Sequence, residues 1–264
     1  SEYFAVNSDE KCVELVVAPG HRKYWKWQDY VLSDADSAII FVPDVIPILI
    51  SSLIEPLVHL IAFGVNLAGI VVTNASAAVS EAIRVDLNRV FPSSIANGVP
   101  IFHLSCESDY SDLRSFILND LPAPPRSASD PFSLCITRIH GTELSSSVEG
   151  KILSGQISVG ETVRLMPADI SLQVESICTN DMETPESASE GQLVGLRLRD
   201  INPAFLSKGM LLVKGPHQGR STRNIVLKVN VFNSSFPIRV GFSPMISILG
   251  CHVHGRVIHI DQEL

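Results

Sequence analysis

The stretch Ser37–Asn74, SAIIFVPDVIPILISSLIEPLVHLIAFGVNLAGIVVTN, decides the fold. SAIIFV and LAGIVVT are short, apolar on both faces and rich in β-branched residues, as strands buried on both faces must be. Between them, IPILISSLIEPLVHLIAFGVN (Ile46–Asn66) is long enough for a helix, broken or kinked at Pro56 and ending near Gly64. Asp44, Glu55 and His59, with Pro43, Pro47 and Pro56, interrupt the run, and a charged group at bilayer depth costs several kcal/mol. The stretch therefore reads as strand, helix, strand and not as a membrane span. Two buried strands joined by a helix imply a parallel sheet.

Working outward, upstream lie Tyr3–Val6 and Cys12–Val17, two apolar runs separated by the hairpin-like turn NSDEK. Pro19-Gly20 follows, then HRKYWKWQDYVLSDAD, a polar stretch with aromatics at helical spacing. Tyr24, Trp25 and Trp27 read as a packing stripe, and His21, Arg22, Lys23 and Lys26 as a small basic cluster on a solvated face. Downstream, AAVSEAIRVDLNRVF (Ala77–Phe91) has helical periodicity, GVPIFHLSCES is a strand with a polar end, and SDLRSFILNDL closes the set as a helix.

At PAPPRSASDP (Pro122–Pro131) the composition changes to a Pro/Ser linker, and helices vanish beyond it. FSLCITRIHG, EGKILSGQISVGETVRLMP, LQVESICTN, GQLVGLRLRDI and GMLLVKG are short strands punctuated by glycine turns, the pattern of a small β-barrel. A Gly/polar link, GPHQGRSTR (Gly215–Arg223), leads to NIVLKVNVF and SPMISILGCHVHGRVIHI, which read as two or three further strands. The expected organisation is an α/β domain over 1–121, a linker over 122–131, a barrel over 132–215 and a partial β domain over 222–264. The last piece is too short to close a barrel of its own.

The bulk numbers narrow the function. A net charge of −8 over 264 residues argues against wholesale coating of nucleic acid, which depends on many Lys and Arg releasing counterions. The five cysteines (Cys12, Cys106, Cys135, Cys178, Cys251) include no C-x-x-C and read as reduced thiols of a cytoplasmic protein. His252, His254 and His259 alternate along what reads as one strand, yet no Cys or acid partners them in sequence, so no metal site is expected. The carboxylates are dispersed and give no acid–base pair.

With this order of segments, several strings resemble the translational GTPases of the elongation factor Tu and elongation factor 1-alpha type, whose relatives include release-factor and ribosome-rescue GTPases. VVAPGHRKYW (Val16–Trp25) resembles that family's Asp-x-Pro-Gly-His segment, DADSAIIFV its ADxAIL strand, and EPLVHLIAFGVNLAGIVVTN its REHxxLAxxLGVxxxIVxxNK stretch. EGKILSGQISVGETVRLMP is similar to the barrel signature GRVxxGxxxxGDxVxxxP. SEGQLVGLRLRDINPAFLSKGMLLVK resembles xxGDNVGxxLRGIxxxxxxRGxVLA, and FPIRVGFSPMISILGCHVHGRV the opening of the third domain. HGTELSSSVEGKI stands where the family has GxGTVxxGRV, keeping Gly141-Thr142 and Gly150, with Lys151 in place of Arg. The resemblance implies an incomplete G-domain-like parallel sheet followed by β-barrel domains.

The departures carry the functional expectation. The phosphate-cradling G-x-x-x-x-G-K-S/T, whose Lys reaches the β/γ-phosphates and whose hydroxyl reaches Mg²⁺, occurs nowhere in the chain. The first switch segment, with its Mg²⁺-contacting Thr, is absent too. Val17 stands at the position of the Asp that holds the Mg²⁺ shell and has no oxygen to offer. The guanine-reading Asn-Lys-x-Asp aligns with Asn74, Ala75, Ser76 and Ala77, so the carboxylate acceptor of the purine edge is gone. Ser105-Cys106 stands at the base-backing loop. Gly20, Asn74 and Ser105 are vestigial nucleotide-motif positions, and His21 matches the water-orienting histidine.

The resemblance therefore implies a translation-factor-like binding module that has lost GTP binding and hydrolysis, with no cofactor. Its expected partner is the ribosome, a tRNA, or a tRNA-mimicking release- or rescue-factor-like protein, in translation or mRNA surveillance. The alternative is a divergent active translational GTPase using GTP and Mg²⁺, whose phosphate loop lies outside this sequence. Segments beyond both ends are expected. The strand that carries that loop would lie between the strand ending at Val17 and the one ending at Val42.

Overall fold

The computed structural model describes residues 3–7, 12–18, 25–42, 49–73, 77–90, 98–104, 109–121, 130–142, 145–179, 183–215, 222–229, 231, 238–249 and 251–261. The chain divides into two compact units, Ser1–Pro124 and Pro125–Leu264.

In the first unit, β1 (Tyr3–Asn7) and β2 (Cys12–Val16) form an antiparallel hairpin in which Tyr3 faces Val16 and Asn7 faces Cys12. Helix α1 (Trp25–Asp34) leads to β3 (Ser37–Val42), α2 (Leu49–Phe63), β4 (Asn66–Thr73), α3 (Ala77–Val90), β5 (Ile101–Leu104) and α4 (Asp109–Ser115). A π-helical turn, Phe116–Asp120, extends α4. The sheet is parallel, in the order β3-β4-β5.

The two-sided burial expected of LAGIVVT is realised in β4. Ile70 and Val72 pack on one face with Leu57 and Leu60 of α2 and Ile83 and Leu87 of α3, while Val71 packs on the other with Leu113 and Ile117. Alternate side chains of one strand thus enter opposite layers, which forces successive central positions to be apolar.

Two expectations change in this unit. Helix α2 is not broken at Pro56, one of the two outcomes expected there: it runs on as one element, with Leu57 and Leu60 buried against the sheet to offset the hydrogen bond that proline removes. The long apolar stretch is thereby cut into β3, a 15-residue helix and β4. No helix among the described residues is long and apolar enough to cross a membrane. SAIIFV is not fully buried. Among the described residues β3 is paired to β4 alone, so it is an edge strand, and Phe41 is 61% exposed.

The second unit is built on a closed barrel. Its strands are β6 (Ser133–Cys135), β7 (Arg138–Thr142), β8 (Ser145–Ser154), β10 (Thr162–Met166), β11 (Ile170–Thr179), β13 (Leu193–Leu198) and β14 (Leu211–Val213). They order as β13-β11-β10-β14-β6-β8-β7, and β13 pairs back to β8, closing six strands with β7 alongside β8. Short β9 (Gln156–Ser158) and β12 (Ser187–Ser189) pair apart. The interior is filled by Leu134, Ile136, Val148, Ile152, Val163, Leu165, Val174, Ile177, Leu196 and Leu212. The glycines of the signature string have steric work. A Cβ on Gly150 would lie 1.9 Å from the Cys135 carbonyl oxygen, so β6 and β8 approach this closely only over a bare Cα. Gly155, at φ +70°, sits where a Cβ would lie 2.3 Å from the Asp130 carbonyl oxygen.

The C-terminal strands are corrected in part. The strand expected over Asn224–Phe232 is not found: residues 222–229 and 231 form no strand, and Val226 is 94% exposed. Alternation alone does not make a strand without a neighbouring ladder to join. Downstream, β15 (Met245–Ile248) and β16 (Cys251–His254) form a hairpin. His252 and His254 lie on β16, whereas His259 lies beyond it and pairs its Nε2 with Asp261 Oδ1 at 2.9 Å. The single strand carrying all three histidines is not formed.

Candidate functional site

Parallel strands bring their carboxyl ends to one edge, the usual place for a ligand in an open α/β sheet. Here Thr73 of β4 stands opposite Leu104 of β5, and Val42 of β3 opposite Val72 of β4. Asn74 and Ser105 each follow directly in sequence from those strand ends. Gly20, His21, Asn74, Ala75 and Ser105 themselves lie outside the described residues. Two of the positions of interest are described. Val17, just past β2, is 59% exposed, and Ala77 opens α3.

At the position that the resemblance assigns to the Mg²⁺-shell Asp, Val17 presents methyl groups, and at that of the guanine-reading Asp stands Ala77, the first residue of α3. Among the described residues no group of three or more His, Cys, Asp or Glu is placed to hold a metal. Cys135, Cys178 and Cys251 are in no disulfide.

The barrel's outer face carries the charge chemistry. A bulge in β11 leaves Glu175 between the paired residues Val174 and Ser176. Its carboxylate takes Arg199 Nε at 3.0 Å on one oxygen and Arg197 Nε at 3.3 Å on the other. Glu149 is shared likewise, with Arg138 Nη1 at 3.1 Å and His140 Nε2 at 2.8 Å. Arg164 pairs with Asp169. These pairs are partly exposed, so each contributes at most about 1 kcal/mol; their effect is to fix side-chain directions on the barrel wall. No sequence motif announced them, although Arg197 and Arg199 alternate with the inward Leu196 and Leu198 as an outer-face pair must.

One pair ties a loop to the end of the barrel. Lys214 Nζ donates to Glu161, whose other carboxylate oxygen accepts the Ser158 N–H at 3.0 Å. The Lys214 hydrogen bond holds the Glu161 carboxyl below its ordinary value, opposed by burial and helped by the Ser158 amide and the lysine charge. A carboxylate with a lowered folded-state pKa stabilises the fold above its unfolded value, and the contribution is lost as pH falls through the lowered value. Replacing Glu161 by Gln is therefore expected to cost under about 1 kcal/mol at neutral pH and nothing in strong acid. Urea unfolding of wild type and Glu161→Gln at both ends of the acid range measures this; equal differences at both ends contradict it.

Comparison with known proteins now adds to this geometry. No protein-family model matches the chain. Over 140 residues it is 29% identical to the eukaryotic peptide chain release factor GTP-binding subunit of Ogataea pini, a match covering 53% of this chain and 18% of that protein. Over 149 residues it is 26% identical to elongation factor 1-alpha of Pyrobaculum calidifontis, covering 56% of this chain and 33% of the relative. The chain thus spans only 18% to 33% of the length of these curated relatives. Among solved structures it superposes on the translation elongation factor SelB from Methanococcus maripaludis, in complex with a GTP analogue, with a TM-score of 0.81 at 18% identity. That superposition covers 96% of this chain and 57% of SelB. A bacterial selenocysteine-specific elongation factor gives a TM-score of 0.66 at 16% identity, covering 80% of this chain and 38% of that one. The parallel sheet followed by a closed barrel is the fold these factors share with it. Sequence and fold together relate this chain to the translational GTPases of the elongation factor Tu and elongation factor 1-alpha type.

Proposed function

We propose that this chain acts in translation as a binding module of translation-factor shape that neither binds nor hydrolyses GTP. The observation that carries the reading is the exposed Val17 at the magnesium-coordinating position, supported by Ala75 and Ala77 where guanine is read. These substitutions touch different roles, one at the metal and two at the base, so no single compensating contact restores the site. Losing the guanine-reading carboxylate alone leaves unmade a charged hydrogen bond worth about 1.5–3 kcal/mol. The module has no cofactor, works in the cytoplasm, and docks on the ribosome, on a tRNA, or on a tRNA-mimicking release- or rescue-factor-like protein. Its domains are a degenerate GTPase-like unit over 1–121, a linker over 122–131, a barrel over 132–215 and the start of a third domain over 222–264. Titration with GTP and GDP tests the reading, which requires no saturable binding.

A second reading is a divergent GTPase that holds nucleotide mainly through its phosphates and Mg²⁺. One observation favours it: among the described residues β2 pairs only with β1 and β3 only with β4, leaving edges that accept another parallel strand. Saturable GTP binding selects this reading over the first.

A further inference from the structure

We infer that Thr184 is a phosphorylation site for a proline-directed serine/threonine kinase. The sequence places a hydroxyl residue directly before a proline at Thr184-Pro185 and at Ser243-Pro244. A proline in that place helps an enzyme in two ways. It removes a backbone donor that an apolar pocket leaves unsatisfied. It also biases the residue before it towards the extended backbone in which a peptide lies across a catalytic cleft.

The local structure separates the two places. Glu183 to Glu186 lie between β11 and β12 and belong to neither strand. Glu183, Thr184 and Glu186 are exposed, and Pro185 is half-buried. The segment is tied at its two ends. The Glu183 carbonyl accepts the Thr179 N–H at 3.0 Å and the Thr179 hydroxyl at 3.3 Å, and the Glu186 carbonyl accepts the Val159 N–H at 2.9 Å. Between these ties, among the described residues, Thr184 has no hydrogen bond. Ser243 is exposed too, but both of its neighbours are engaged. The Phe242 and Pro244 carbonyls accept the Val257 and Gly255 N–H groups at 2.8 and 2.9 Å, and an enzyme drawing Ser243 into its cleft must break both.

A threonine in a connecting segment commonly spends its hydroxyl on nearby backbone. The Thr137 hydroxyl donates to the Glu149 carbonyl at 3.2 Å, that of Thr179 to Glu183, and that of Thr222 to the Asn224 carbonyl at 2.9 Å. Thr184 does none of this, so its Oγ1 is open to an incoming phosphoryl group. In the transfer, Oγ1 bonds to the γ-phosphorus of ATP as the bond to the β-phosphate oxygen breaks. The hydroxyl proton passes to a carboxylate base of the kinase, and ADP leaves. The phosphate brings a charge of about −1.5 to −2 at neutral pH. It arrives between Glu183 and Glu186 in sequence, so like charge gathers on one exposed loop and works against the two carbonyl ties.

The full chain, incubated with a proline-directed serine/threonine kinase, ATP and Mg²⁺ and mapped by mass spectrometry, tests the site. Phosphate is expected at Thr184 of the folded chain, at a rate within about tenfold of that in a synthetic peptide of residues 179–190, since little opening is needed to present the loop. Ser243 should trail Thr184 by about tenfold or more. Pro185→Ala should slow the reaction at Thr184 by about tenfold or more, with the barrel still folded by circular dichroism. The inference is overturned by phosphate that reaches Thr184 in neither chain nor peptide, or in the peptide alone. It is overturned as well by phosphate that goes to Ser187 or Ser243 as fast as to Thr184, or by a Thr184 rate that Pro185→Ala leaves unchanged. The comparison of folded wild type with the peptide decides the matter even where the variant fails to fold.

Discussion

Gly150→Ala is expected to destabilise the barrel unit by about 3 kcal/mol or more, among the largest effects a single methyl group produces. The alanine Cβ would fall 1.9 Å from the Cys135 carbonyl oxygen and 2.8 Å from Leu134 Cδ2. The first neighbour is backbone, on the β6 strand that pairs with β8 in the barrel wall, and cannot rotate away as a side chain would. Relief requires β6 and β8 to separate, which opens the interior around Leu134 and Ile152. Gly160 supplies the internal comparison. It has φ +84° with nothing within 4 Å of where a methyl would stand, so Gly160→Ala costs only the left-handed backbone penalty of about 1 kcal/mol. Urea unfolding followed by circular dichroism measures both, and equal losses would contradict the packing account.

The same string shows what sequence reading can reach. EGKILSGQISVGETVRLMP announces the barrel because its glycines and alternating apolar residues answer directly to steric and burial demands. The stretch LAGIVVT announces a two-sided strand for the same reason. Legibility fails where the outcome depends on a distant partner. SAIIFV has the composition of a central strand, but whether it is one depends on what pairs with its second edge, and among the described residues nothing does. NIVLKVNVF alternates as well as any strand in the chain, yet its described residues form none, because a ladder is a property of two segments. The Lys214–Glu161 tie joins residues 53 apart and leaves no local trace. At the candidate site, the substitutions Val17, Ala75 and Ala77 are legible only through the family resemblance; composition and spacing alone leave Pro19-Gly20 as an ordinary turn.

The α/β unit has its own sensitive position. Ile70→Ala is expected to cost about 2–5 kcal/mol, the lost transfer free energy plus the cavity that α2 and α3 cannot collapse to fill. Ile70 is completely buried in β4 between β3 and β5, on the face shared with Leu57, Leu60, Ile83 and Leu87. Val85, on α3 but 54% exposed, provides the contrast, and Val85→Ala should change stability by no more than about 0.5 kcal/mol. The comparison is made by urea unfolding with a probe reporting on the first unit. Should both substitutions cost the same, the assignment of α2 and α3 to one face of β4 fails.

The central claim is that the translation-factor shape survives here without the nucleotide. Isothermal calorimetry of GTP and GDP, with and without Mg²⁺, on the longest chain its native transcript encodes tests that claim most directly. The account predicts no saturable heat at high protein concentration, with or without Mg²⁺. Saturable, Mg²⁺-dependent binding at micromolar affinity or tighter would contradict it and make Val17 and Ala77 tolerated departures within a working GTPase.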